Sequence, residues 1–239
     1  DRVAEFAVAR IPASWEESIG EASYRQFIMG HTVVEAGPAV EAIDVIAARL
    51  TGALPPSPYR FQISVVDNGV VNAFALPGGR VVVFTGLLRK ADSAEEVAGV
   101  LAHEVNHVLK RHALVRVAKR IGLVGVVTVL TGNEQGLAGL IKNLGIELAT
   151  LKFGREQETE ADEEGLRLLH RARIAPEGMV SFFERLAEQD APQLEILSSH
   201  PMSEGRAERL RAEIARLPRM KPEPVPVDWA RVRASLRAP

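Results

Sequence analysis

His103-Glu104-Val105-Asn106-His107 reads H-E-x-x-H. Four residues is just over one turn of an α-helix, so two histidines at this spacing project from one face. Both imidazoles can then reach one Zn²⁺, with Glu104 close enough to handle a proton on metal-bound water. In a chain this long the string arises by chance on the order of once in a hundred sequences, so it needs support from elsewhere.

The flanking residues supply a helix. Ser93 followed by Glu96 fits a capping box. Val97, Val100, Leu101, Val105, Val108 and Leu109 then keep an apolar stripe at helical spacing, and the pattern can run on past His112. Upstream, three short runs with β character are separated by turn signals: Arg60–Val66, Val70–Leu76 and Arg80–Thr85, divided by Asp67-Asn68-Gly69 and Pro77-Gly78-Gly79. They predict a three-stranded meander. Helices are expected around Trp15–Phe27, Val40–Leu50, Arg155–Arg171, Pro176–Gln189 and Arg206–Leu217, with a loop over Asp190–Glu204. The apolar, glycine-rich stretch Ile121–Leu151 reads as one or two helices over the active site, as core or lid, with contact to a membrane surface as its other reading.

Composition narrows the chemistry. The chain has 239 residues, 46% hydrophobic and 25% charged, which suits a folded domain with a sizeable core. Net charge is −2 and no long basic run occurs, so no nucleic-acid partner is expected. There is no cysteine, so any metal must be held by histidine and carboxylate; that absence also fits an oxidising compartment. Ile121–Leu130 is about half the length of a membrane span. The start at Asp1, without Met or signal peptide, reads as a mature or trimmed form.

Catalytic zinc usually takes three protein ligands and leaves one position for water, so two histidines are an incomplete site. The densest downstream carboxylate cluster is Arg155-Glu156-Gln157-Glu158-Thr159-Glu160-Ala161-Asp162. Glu158 and Asp162 share a helix face; one can bind the ion while the other orients a ligating imidazole. His112 lies nine residues past His103, on about the opposite face of a continuous helix, and reads as structural, like His31 and His170.

Taken together, four motifs resemble the HtpX-type and CaaX-prenyl-protease-type zinc metallopeptidases, the gluzincins. They are Asn72-Ala73-Phe74-Ala75-Leu76-Pro77-Gly78-Gly79, His103–His107, Glu158-Thr159-Glu160-Ala161-Asp162 and Ser199-His200-Pro201, in the family's order across roughly residues 60–210. The resemblance implies His103, His107 and Glu158 as ligands of one Zn²⁺, Glu104 as general base and Asp162 as the carboxylate supporting a ligand. It implies for His200 a position on a loop reaching the active site, either capping the zinc at rest or polarising the tetrahedral intermediate. The implied fold is α+β and mainly α, a zincin-like domain with its small sheet over the active-site helix. Asn72, Ala73, Phe74 and Ala75 are expected on an edge strand that binds an extended peptide through its backbone. Arg206 is grouped with them as a substrate contact, although anchoring of the His200 loop to a carboxylate is the favoured reading.

The expected function is zinc-dependent endoproteolysis of extended or misfolded polypeptides, latent through His200. The rival is a zinc-bound, chaperone-like or assembly module of the cell envelope with little proteolysis. The chain lacks the membrane helices of the embedded members and ends before a long helical-repeat domain, so its expected analogues are soluble, bacterial and envelope-located, in the periplasm or otherwise outside the cytoplasm. Domain limits are expected at residues 1–217, followed by a Pro-rich tail from 218 to 239.

Overall fold

The computed structural model describes residues 2–130, 152–188, 194–201 and 205–236. Helices α1 (Arg2–Val8) and α2 (Ala13–Ile28) precede strand β1 (Thr32–Val34) and helix α3 (Pro38–Gly52). Strands β2 (Gln62–Asp67), β3 (Ala73–Leu76) and β4 (Arg80–Phe84) follow, then α4 (Thr85–Lys90) and the H-E-x-x-H helix α5 (Ala94–Leu109). Beyond it come α6 (His112–Leu130), α7 (Arg155–Arg171), α8 (Glu177–Ala187), α9 (Glu195–Ser199), α10 (Arg206–Arg216) and α11 (Trp229–Ser235). The architecture is α+β and mainly helical, as the sequence indicates.

The sheet differs from the expected meander. It has four strands in the order β1-β2-β4-β3, with β2 and β4 parallel and the other two pairings antiparallel. Thr32–Val34 is too short to show alternation, which hid it in the sequence. The Asp67-Asn68-Gly69 turn does not close a hairpin, because the end of β4 holds it. Thr85 Oγ1 donates to Asp67 Oδ1 at 2.9 Å and accepts from the Asn68 N–H at 3.1 Å. The Gly86 N–H reaches Asn68 O at 2.8 Å, and a Cβ on Gly86 would fall 2.2 Å from Val70 O. The chain therefore passes beyond the β4 position, and β3 becomes an edge.

Both faces of the sheet are covered. Val65, Ala73, Ala75, Val81 and Val83 face α3, α5 and α8, with Ile46, Leu50, Val97, Leu101 and Phe183 among the partners. Val66, Phe74, Leu76, Val82 and Phe84 face α2 and α6. Period-two alternation with two buried faces is why these strands are nearly all apolar.

Helix α5 lies in the middle of the protein, buried without a break from Glu96 to Val108. Small residues allow its close neighbours. A Cβ on Gly99 would come 2.6 Å from Met179 Cα of α8, and one on Gly165 of α7 would lie 3.4 Å from the His103 nitrogen. The described part of the Pro-rich stretch packs onto the domain. Arg49 donates to the carbonyls of Ala172, Arg173, Glu223 and Pro224, and the Trp229 indole donates to Ala91 O at 2.8 Å. Helix α9 interrupts the expected 190–204 loop. In Ile121–Leu151, helix α6 runs to Leu130 with a left-handed Gly122 (φ 68°) inside it; the rest of that stretch lies outside the described residues. Among the described residues no helix is long and apolar enough to cross a membrane.

Close packing at Gly99 makes a testable demand. Gly99→Ala puts a methyl into Met179 and should cost about 1–3 kcal/mol despite alanine's better helix propensity. Chemical denaturation measures it; an unchanged or higher midpoint would mean that α5 and α8 are not in backbone contact.

Candidate metal centre

Ser93 starts α5 as expected, its hydroxyl accepting from the Glu96 N–H at 3.2 Å. The return bond is shifted: the Glu96 carboxylate takes the Asp92 N–H at 2.8 Å and pairs with Arg185. This start fixes the phase of the helix, and His103, Glu104 and His107 arrive on the face turned towards α7. Each is at most 1% exposed.

Glu158 from α7 and His200, just past α9, meet them. One ligand atom from each of His103, His107, Glu158 and His200 lies within 4.8 Å of all the others. His103 Nε2 is 2.9 Å from His107 Nε2 and 3.1 Å from His200 Nδ1. Glu158 Oε1 is 2.9 Å from His200 Nδ1 and 3.4 Å from His107 Nε2. Donors about 2.0–2.1 Å from a tetrahedral zinc stand roughly 3.3 Å apart, so this set fits a zinc ion in size as well as in chemistry. The sequence-derived ligands are brought together, and His200 joins them as a fourth donor.

Electrostatics agree with that use. Burial holds the His107 ring well below the ordinary imidazole range, keeping it neutral and able to ligate. Burial also opposes ionisation of Glu158, but the facing rings of His200, His107 and His103 hold its carboxyl far below the usual range. His200 is raised: burial opposes its charge, and the carboxylates of Glu104 and Glu158 outweigh that.

Glu104 is distinctive. Neither of its buried carboxylate oxygens completes a hydrogen bond among the described residues. The carboxylate faces the amide of Ala75 on β3, and Oε1 lies 3.3 Å from His200 Nε2. Burial pushes its carboxyl above the ordinary range, partly offset by His200 and His103. An acceptor held this way beside a metal-binding cluster is suited to take a proton from a water there.

The supporting groups are equally ordered. His103 Nδ1 lies 3.0 Å from Asp162 Oδ1. Arg206 grips Asp162 with two bonds of 2.8 Å and donates to the carbonyls of His200 and Pro201 at 3.2 and 3.0 Å. Its charge also stands 3.2 Å from Glu158 Oε2, and the guanidinium lies over Phe183. Arg206 is 2% exposed with its donors turned inward, the geometry of the loop anchor rather than of a substrate contact.

The edge strand also needs refinement. Phe84 N–H donates to Asn72 O at 3.1 Å, so by antiparallel alternation Asn72 and Phe74 turn their backbone groups to β4. Phe74's ring lies on the far face of the sheet, 5.1 Å from Phe27 between centroids. Of the four expected contacts, only Ala73 and Ala75 present backbone groups to the free edge. At the head of that edge, Ile196 N–H from α9 donates to Val71 O at 3.1 Å.

Two further neighbours adjoin the site: Phe153, which had no reading in the sequence, and His112, which was expected on the opposite face of a continuous helix. Phe153 stacks on His107 with centroids 4.0 Å apart. His112 Nδ1 is 2.8 Å from His107 Nδ1. The helix carrying His107 ends at Leu109, and Arg111 takes a left-handed conformation (φ 57°). The chain turns there and brings His112 back beneath His107, whereas a continuous helix would have carried it away. His31 and His170 stand apart, the first stacked on Phe27 and the second donating from Nε2 to Pro218 O at 2.9 Å.

Residues 41–214 match the family model of Peptidase family M48. Beta-barrel assembly-enhancing protease of Yersinia pestis is 29% identical over 231 residues, which cover 91% of this chain and 47% of that protein. Metalloprotease LoiP of Escherichia coli (strain K12) is 30% identical over 175 residues, 71% of this chain and 68% of that protein. Mitochondrial metalloendopeptidase OMA1 of Arabidopsis thaliana is 35% identical over 151 residues, 63% and 31%. The chain spans about half the length, or less, of the β-barrel assembly-enhancing proteases it matches.

Breaking the buried pair tests the anchor. Arg206→Ala strands Asp162 and should cost about 3–5 kcal/mol. Arg206→Lys keeps the charge but cannot reproduce the two parallel bonds, so it should recover only part. A denaturation midpoint for Arg206→Ala equal to that of the parent would refute the assignment.

Proposed function

The chain belongs to Peptidase family M48, and from that we propose that it is a zinc-dependent endopeptidase acting on extended or misfolded polypeptides. The observation that carries the reading is Glu104: a buried carboxylate with unfilled oxygens beside four converging metal-ligand atoms. Glu104 also weighs against the chaperone-like alternative, since holding a client needs no base at that position.

His103, His107 and Glu158 hold the metal in this proposal, with Asp162 keeping His103 in the tautomer that turns Nε2 inward. When bound, zinc supplies an acidified water and polarises the scissile carbonyl. Glu104 accepts the water's proton and delivers it to the departing amine nitrogen, so the carboxylate is restored as the peptide bond breaks. Ala73 and Ala75 pair with the substrate backbone along the free edge of β3, and Asn72 Oδ1, which has no hydrogen-bond partner among the described residues, offers a further acceptor at its head. Recognition through backbone groups favours unfolded chain over any one side chain.

The same geometry supports latency. His200 Nδ1 sits with the other ligand atoms where a fourth donor would stand, and Ile196 is bonded at the head of the substrate edge. We read residues 194–201 as a cover that must move before substrate enters. We place the protein outside the cytoplasm, on its lack of cysteine and its likeness to a bacterial protein named for β-barrel assembly; cell fractionation tests that. Contact with a membrane surface is part of the same reading, and vesicle flotation tests it.

Cleavage of casein or a reduced, unfolded protein should be abolished by a zinc chelator and restored by zinc. Glu104→Gln should keep its zinc, counted by metal analysis, while losing activity by roughly 10²–10⁴-fold. Full turnover by that variant would remove the proposed base. His200→Ala should raise basal cleavage; a dead variant with an unchanged zinc content would instead give His200 a role in stabilising the transition state.

A further inference from the structure

His107 and His112 face each other through the same ring atom, Nδ1 to Nδ1, at 2.8 Å. A contact this short between two ring nitrogens holds one proton, so one ring donates and the other accepts. The rest of each ring decides which. His107 Nε2 points into the ligand cluster, 2.9 Å from His103 Nε2 and 3.4 Å from Glu158 Oε1. To ligate, that nitrogen must present a lone pair, so the proton of the neutral ring sits on Nδ1. His112 Nδ1 is therefore the acceptor, and the proton of His112 sits on Nε2. There it meets Glu160 Oε2 at 3.2 Å, and the other oxygen of Glu160 accepts from Lys110 Nζ at 2.8 Å. Each polarity follows from the one before it, and the run ends in a charged pair at the surface.

We propose that His112 is a positioning residue for metal binding, fixing His107 as the Nδ1–H tautomer through a run from His107 to His112, Glu160 and Lys110. This rests on His107 being a zinc ligand. It gives a role to a histidine that the H-E-x-x-H pattern does not include. The two ligating imidazoles are then supported differently. His103 meets a carboxylate directly at Asp162, whereas His107 meets one through a second imidazole. The left-handed Arg111 makes this arrangement possible by ending one helix and starting the next within two residues.

Two near-isosteres separate this role from simple packing. In His112→Asn the amide oxygen falls where Nδ1 was, so His107 keeps its acceptor while the reach to Glu160 is lost. In His112→Gln the amide reaches towards Glu160, but no acceptor remains opposite His107. Zinc affinity of the full-length protein, measured by competition with a chromophoric chelator, should fall roughly 10–100-fold in His112→Gln and stay near the parent value in His112→Asn. Equal losses in both variants, no loss in His112→Gln, or the reverse order would overturn the proposal. His107→Ala is the control for the premise: parent-like zinc affinity there would sink the ligand assignment of His107 rather than the role of His112.

Discussion

Four acceptor-rich groups are packed at 2.9–3.6 Å in a site that water scarcely enters. Such crowding is unfavourable unless positive charge lies among them, because buried acceptors without a donor lose their hydration and gain nothing in return. That constraint organises the molecule. Helix α5 contributes two of the groups, α7 a third, and the segment after α9 the fourth. The glycines that let α7 and α8 come against α5 serve the same end, since two imidazoles and a carboxylate from separate helices converge only when their backbones are close.

Around this centre the supporting bonds are arranged in two directions. On one side His103, Asp162 and Arg206 form a buried series that ends on the backbone of the His200 segment. On the other, His107, His112, Glu160 and Lys110 run outward to solvent. The first ties the metal site to the segment that covers it. The second ties it to the turn between α5 and α6. A rigid helix spacing sets where the ligands are, and these two series set how their rings are oriented.

Much of the site was legible because its chemistry follows helical periodicity. His103, Glu104 and His107 fall on one face of a helix whose start is marked by Ser93, and Glu158 with Asp162 repeats that logic on α7. His200 was legible only through its motif, since spacing cannot predict where a loop returns. The direction of His112 was missed for a definite physical reason: periodicity assumes an unbroken helix, and one left-handed residue, Arg111, invalidates it. An arginine carries no signal for that conformation. The sheet was half legible. Its three longer strands were found, but their order was not, because Asp67-Asn68-Gly69 has the composition of a hairpin turn and is instead captured by Thr85. Arg206 shows a further difficulty. Its place just after the His200 motif suggests an anchor on a carboxylate, but spacing alone does not say which carboxylate, and only the packing of α7 against α10 singles out Asp162.

Arg206 divides its bonds between two kinds of partner. Its Nε and Nη2 are committed to Asp162, which belongs to a rigid helix; its Nη1 serves two carbonyls of the covering segment. The bonds to that segment are therefore confined to one corner of the guanidinium, separate from the fork on Asp162. One guanidinium thus refers the backbone beside His200 to a rigid helix and, through Nη1 at 3.2 Å from Glu158 Oε2, to a carboxylate of the cluster itself, so the three elements share a single buried charge.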